Sequence, residues 1–263
     1  MIRNNLISIG EKCLDIVQYI GGTTMLFVKT LAWIPAPPIK RRQILSQMKK
    51  IGVDSLPIVF LTALFTGIVL ALQSAYQMQK LGAEMYIASL VSLSMTRELG
   101  PVLTALVVAG RVGASITAEL GTMRVTEQID ALETLATNPI KYLVVPRFIA
   151  LVIMLPVLTI YADFIGIIGG YIVGVGRLGV SSSMYLRMTW EPLVYKDIFT
   201  GLLKALVFAV ILCTVACYEG MNAEGGAEGV GKSTTLSVVT SFILIIMADC
   251  FITALFYFAF QVG

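Results

Sequence analysis

The chain has 263 residues, 57% of them hydrophobic and 13% charged, with a net charge of +3 and no histidine. Soluble domains run near 25% charged, so a water-soluble globule is excluded, as are histidine-based acid–base catalysis and histidine-containing metal sites. So small a net charge gives no argument for nucleic acid, and matters only through where the basic residues lie.

The first 30 residues are not a cleaved signal, because Glu11, Lys12 and Asp15 interrupt any apolar core. Leu6, Ile9, Cys13, Ile16, Val17 and Ile20 instead recur at helical spacing, opposite Glu11, Lys12, Asp15 and Gln18. The pattern predicts a helix lying in the membrane interface and ending at Gly21-Gly22. A second apolar patch, Met25 to Ile34, stops at Pro35-Ala36-Pro37-Pro38. A basic stretch follows, so residues 1–50 read as an interfacial helix plus a basic segment, and residues 51–263 as a membrane domain.

A spanning helix needs about 20 mainly apolar residues, and five runs qualify. They are Ser55 to Gln79, Met85 to Gly110, Phe148 to Gly176, Ile198 to Tyr218, and Leu236 to Phe260. The fold class is therefore all-α and polytopic. With the N-terminal end cytoplasmic, thirteen Lys and Arg residues fall on that side and four on the other, leaving aside Arg97 and Lys204 within spans. The positive-inside rule then puts the N-terminus in the cytoplasm and the C-terminus outside.

Between spans two and three, Val125, Ile129, Leu132 and Ala136 form one apolar stripe, with Thr126 as N-cap and Asn138-Pro139 as stop. The expected helix carries Glu127, Asp130 and Glu133. A connector lying on the bilayer is the plain alternative, but an anionic leaflet favours a basic helix. A protein partner suits an acidic one better.

Charges inside the membrane usually face a cavity or a partner. Arg97 and Glu98 lie about halfway along span two, before a Gly100-Pro101 break. Arg97 could bind a phosphate bidentately; the other reading is that Arg97 and Glu98 pair with Lys204 or Asp249 within the bundle. Asp163, Lys204 and Asp249 are single intramembrane charges. The cavity reading takes its apolar walls from Leu70, Leu72, Tyr76, Met78, Leu93 and Leu99. Gly166 and Gly170 in span three stand in GxxxG register for close packing. Cys13, Cys213, Cys217 and Cys250 read as packing residues, since two thiols on one helix face make a poor zinc site.

Four runs are diagnostic together: Arg97-Glu98-Leu99-Gly100-Pro101-Val102-Leu103-Thr104-Ala105-Leu106, Ala109-Gly110-Arg111-Val112-Gly113-Ala114, Ala118-Glu119-Leu120-Gly121-Thr122-Met123, and Val125-Thr126-Glu127-Gln128-Ile129-Asp130-Ala131-Leu132. With Pro139-Ile140, Pro146-Arg147 and Gly229-Val230-Gly231, they resemble the MlaE (YrbE) permease family over roughly residues 40 to 260. The resemblance implies a homodimeric permease of a bacterial ABC system that moves phospholipid between inner and outer membranes and maintains outer-membrane lipid asymmetry. It implies an inner-membrane location and three partners: an MlaF-type ATPase, an MlaB-type STAS protein and an MlaD-type MCE hexamer. It makes Val125, Glu127, Ile129, Asp130, Leu132 and Glu133 the segment that couples to the ATPase. It implies no enzyme activity and no cofactor in this chain, ATP being bound by the partner. An ion-coupled secondary transporter or channel, using Arg97, Glu98, Asp163, Lys204 and Asp249 as a relay, is the alternative.

Gly226-Ala227-Glu228-Gly229-Val230-Gly231-Lys232-Ser233 matches the phosphate-binding G-x-x-x-x-G-K-[ST] pattern. The motif works only when a strand delivers the loop and a helix follows it. Here a membrane span precedes it and another follows, with no room for a nucleotide-binding domain, so it reads as a flexible turn. Lys232→Ala is expected to leave ATP turnover of the assembled complex nearly unchanged. A loss comparable to disabling the ATPase subunit would restore the motif as a nucleotide site.

Overall fold

Five helices of the computed structural model are long and apolar enough to cross a bilayer, and they fall where the sequence places them. The model describes residues 2–37 and 41–260, all helix or short turn with no strand among them. The side chains of Leu6, Ile9, Cys13 and Ile16, four of the six residues of the predicted interfacial stripe, lie outside the described ones.

Helix α1 (Ile2–Trp33) is continuous, which corrects the expected stop at Gly21-Gly22. Glycine within a helix costs about 1 kcal/mol, and Tyr218 explains why Gly22 is worth that cost. The Tyr218 phenol occupies the space where a Cβ on residue 22 would stand, and its ring meets Tyr19 edge-on at 5.2 Å. Helix α2 (Arg41–Ile51) carries the basic segment and leads through a short 3₁₀ turn into span one, α3 (Leu56–Gln79).

Span two is three helices joined by two π-helical turns: α4 (Ile87–Ser94), α5 (Gly100–Val108) and α6 (Ala114–Val125), with the turns at Met95–Leu99 and Ala109–Gly113. The break expected at Gly100-Pro101 therefore takes the form of a π turn. Gly100 N–H bonds back to Met95 O in the i→i+5 pattern, and Pro101 has no N–H with which to resume the α ladder.

The sequence reading of the linker needs correction. Val125 ends α6 rather than opening a new helix, and Thr126 donates to Thr122 O instead of capping. Glu127 takes a left-handed conformation (φ 59°) that turns the chain, and only α7 (Gln128–Thr134) follows. Ala136 is left-handed too (φ 53°), so it closes the helix instead of extending the stripe.

Span three, α8 (Val145–Gly176), is central and packs most extensively against α3. Its glycines divide the work. Gly166 and Gly169 meet span-one backbone at Gly67 and Leu64, while Gly170 and Gly174 receive Tyr185. Tyr185 belongs to α9 (Ser182–Trp190), a short helix that the sequence reading left as polar connection. Only Tyr185 and Thr189 of α9 are buried, too little apolar periodicity to register beside the spans.

Span four is α10 (Tyr195–Met221) and span five α11 (Gly226–Phe260). The start of α11 overturns the flexible turn expected at 226–233. That run is helical throughout; the turn is residues 222–225, and Gly225 and Gly226 take its positive φ values of 86° and 67°.

Candidate functional site

The π turn at 95–99 is where three spans meet. Residues 197, 201 and 204 of α10 follow i, i+4, i+7 spacing and so share one face. That face meets the turn residue by residue. Arg97 Nε donates to Asp197 Oδ1 at 2.7 Å, with Nη2 at the same distance. The Gly201 Cα lies against Thr96 O, where any Cβ would collide with the carbonyl. Lys204 Nζ donates to Glu98 Oε2 at 2.5 Å. Gly201 thus sets the close approach that lets the two ion pairs form on either side of it.

Span five completes the cluster with residues one turn apart. Thr253 accepts from Lys204 Nζ at 2.7 Å and donates to Glu98 Oε1 at 3.1 Å, closing a triangle. Asp249 Oδ1 lies 2.8 Å from Lys204 Nζ, an ion pair without hydrogen-bond alignment. Lys204 is wholly buried and Asp197 nearly so, whereas the Arg97 and Glu98 side chains are 52% and 41% exposed. The exposed pair opens onto a cleft of roughly 400 Å³, lined also by Lys196, Thr200, Phe256 and Tyr257. Three cations, two carboxylates, two threonine hydroxyls and two rings line this one cleft, a set that can hold a phosphate-bearing amphiphile.

Of the pairings expected within the bundle, Glu98 with Lys204 is present, whereas Arg97 pairs with Asp197 rather than Asp249. Arg97 keeps a face toward the cleft. Asp197, which holds Arg97, was missed because the fourth span was started one residue later; the spacing of Asp197, Gly201 and Lys204 was the signal. The remaining residues expected at the cavity are elsewhere in the single chain. Leu70, Met78 and Leu99 pack on a cluster formed by Ala71, Ala75, Ile87, Val91, Met95 and Val173. Tyr76 is exposed, with Lys80 over its ring at 4.3 Å. One helix cannot present adjacent Glu98 and Leu99 to the same cleft. Asp163 is also apart, its Oδ1 buried without a partner against Gly100.

The linker residues divide likewise. Ile129 is buried and Leu132 packs on the chain's own core. Asp130 pairs with Arg124 at 2.5 Å. Glu127, Glu133 and Leu135 are exposed, so the outward surface of this segment is acidic around one apolar side chain. Cys213 and Cys217 are buried with their sulfurs 4.0 Å apart, and no group of three metal-ligating side chains occurs among the described residues.

Residues 44–255 match the family described as "Permease MlaE". Proteins named "Probable ABC transporter permease protein" from Rickettsia felis and Rickettsia bellii are each 48% identical over 257 residues, covering 98% of this chain and 99% of theirs. The "Intermembrane phospholipid transport system permease protein MlaE" of Haemophilus influenzae is 37% identical over 260 residues, again 98% of this chain and 99% of its own.

The ion pairs set an expectation for stability. Arg97→Leu leaves Asp197, buried and charged, with only the Val194 N–H at 3.1 Å. Breaking a buried pair costs about 3–5 kcal/mol; half-exposure of Arg97 reduces this to about 2 kcal/mol, or a fall in melting temperature of roughly 4–8 °C. Asp197→Asn in the same chain should restore most of it. A single variant that melts like the parent protein would show that the pair carries no stability.

Proposed function

The chain belongs to the MlaE permease family, and on that premise we propose that it is the membrane subunit of a transporter moving phospholipid between the inner and outer membranes of a bacterial envelope. It is a multi-pass ABC transporter permease, and in this reading it performs no covalent chemistry itself. In this reading the midspan cleft receives the headgroup. Arg97 engages the phosphate, and the Glu98–Lys204 pair stands beside it. Two copies of the chain face each other, so that Leu70, Tyr76, Met78 and Leu99 of the pair wall the space for acyl chains. Maintenance of outer-membrane lipid asymmetry is the physiological role this activity would serve.

The observation that carries the reading is the half-exposed Arg97 guanidinium at a helix break within a span. A charge at that depth is costly unless it is used. The work of moving lipid needs a partner that hydrolyses ATP, and the helical form of the Gly226–Ser233 run supports assigning ATP to that partner. An MlaF-like ATPase would dock on the linker surface of Glu127, Glu133 and Leu135. An MlaB-like STAS protein would bind that ATPase, and an MlaD-like MCE hexamer would cover the opposite membrane face. The linker face is then cytoplasmic, as are the N-terminus and the basic α2, and the C-terminus is periplasmic. A relay through the intramembrane charges fits less well, because Asp163 lies on the other side of span two from the Lys204 cluster.

The test is lipid transfer by the reconstituted complex between donor and acceptor vesicles. Arg97→Lys should keep part of the rate. Arg97→Leu with Asp197→Asn, which leaves no buried charge unpaired, should lose about tenfold, the value of one charge-assisted bond. Full transfer by the double variant, with the complex assembled, would overturn the headgroup assignment.

A further inference from the structure

A second basic cleft lies at another depth. It is formed where Gln47, Lys50 and Ile51 of α2 meet Arg111, Val112, Ser115 and Ile116 of span two, and holds roughly 180 Å³. Its geometry is built from a buried anchor. Ser55 is wholly buried, its Oγ donates to Ile51 O at 2.6 Å, and it accepts from Arg111 Nη1 at 2.7 Å. That bond aims the guanidinium without neutralising it, and no carboxylate pairs with Arg111 among the described residues.

The rest of the cluster is also short of negative charge. Glu119 Oε2 takes Lys50 Nζ at 2.7 Å, and Glu119 Oε1 takes the buried Arg147 Nη2 at 2.9 Å. One carboxylate therefore serves two cations, and the neighbourhood of Arg111, Lys50, Arg147 and Glu119 carries an excess of two positive charges. The amide of Gln47 and the hydroxyl of Ser115 add neutral hydrogen-bonding groups, over an apolar floor of Ile51, Val112 and Ile116.

Depth identifies the ligand. The uncharged part of span two ends at Gly110, so Arg111 stands at the boundary of the hydrocarbon on the linker face. Cationic pockets at this level between helices suit phospholipid headgroups. Fourteen residues separate Arg97 from Arg111, about 21 Å along the helix, so the two clefts cannot share one headgroup.

We propose that Arg111, Lys50, Gln47 and Ser115 form a binding site for the phosphate of an anionic phospholipid in the leaflet at the linker face, separate from the midspan cleft. The lipid is anionic because the cleft has no carboxylate to spare for a headgroup amine, Glu119 being held by two cations. This inference does not depend on the transport reading.

Native mass spectrometry of the complex, taken from nanodiscs of equal phosphatidylglycerol and phosphatidylcholine, tests it. The parent protein should retain phosphatidylglycerol in preference to phosphatidylcholine. Arg111→Gln with Lys50→Gln should lower that retention about tenfold. Ser115→Asp keeps both cations but places a carboxylate in the cleft, and should produce a similar loss even if the first variant fails to fold. Arg187→Gln, which removes an exposed cation of α9 that lines neither cleft, should leave retention unchanged. Three results would overturn the proposal: unchanged phosphatidylglycerol in the Ser115 variant, equal loss in the Arg187 variant, or displacement by soluble glycerol phosphate at the affinity of the lipid, which would make the ligand a free phosphate.

Discussion

A lysine ammonium placed in hydrocarbon costs several kcal/mol unless it is paired, and Lys204, within span four, is wholly buried. Much of the arrangement of spans two, four and five follows from meeting that one requirement. Span two brings Glu98 and span five brings Asp249 and Thr253. These partners can reach Lys204 only if α10 comes close to the break in span two, and Gly201 against Thr96 O allows that approach. The π turn at 95–99 presents Arg97 and Glu98 together to α10, where Asp197 takes the arginine. A straight α-helix at this point would separate the two side chains more widely.

The same constraint connects packing to function. Glu98 is shared between a buried lysine and an open cleft, so whatever enters the cleft meets a polar network that already ties three spans together. A phosphate drawn to Arg97 competes with Asp197 for the same guanidinium. In the proposed reading, binding and helix arrangement would be coupled through the Arg97–Asp197 pair. Spans one and three contribute a different kind of contact, glycine against backbone at Gly67 and Gly166, which is close-packed and leaves no polar group to rearrange.

Hydrophobic length alone makes the five spans legible in the sequence, because a bilayer imposes a minimum that few soluble helices reach. The motif residues from Arg97 to Leu132 likewise point to the family before any coordinates. What the sequence hides depends on contacts distant along the chain. Asp197 looks like loop because its partner lies 100 residues away. Gly22 looks like a helix stop until Tyr218 fills the space beside it. Leu132 belongs to an apolar stripe on any helical wheel, yet the left-handed residues at Glu127 and Ala136 shorten its helix and turn it onto the chain's own core. Leu99 is adjacent to Glu98 in sequence and on another side of the helix in space.

The constraint on which the bundle depends is the pairing of Lys204 with Glu98 and Asp249. It is tested most directly by comparing the melting temperature and subunit content of Lys204→Met with those of the same substitution combined with Glu98→Gln and Asp249→Asn. The account predicts that the single variant, with two carboxylates left unpaired among the spans, melts well below the parent protein and loses its partners. The neutral triple variant should recover both. A Lys204→Met chain as stable as the parent, or a triple variant no better than the single one, would contradict it.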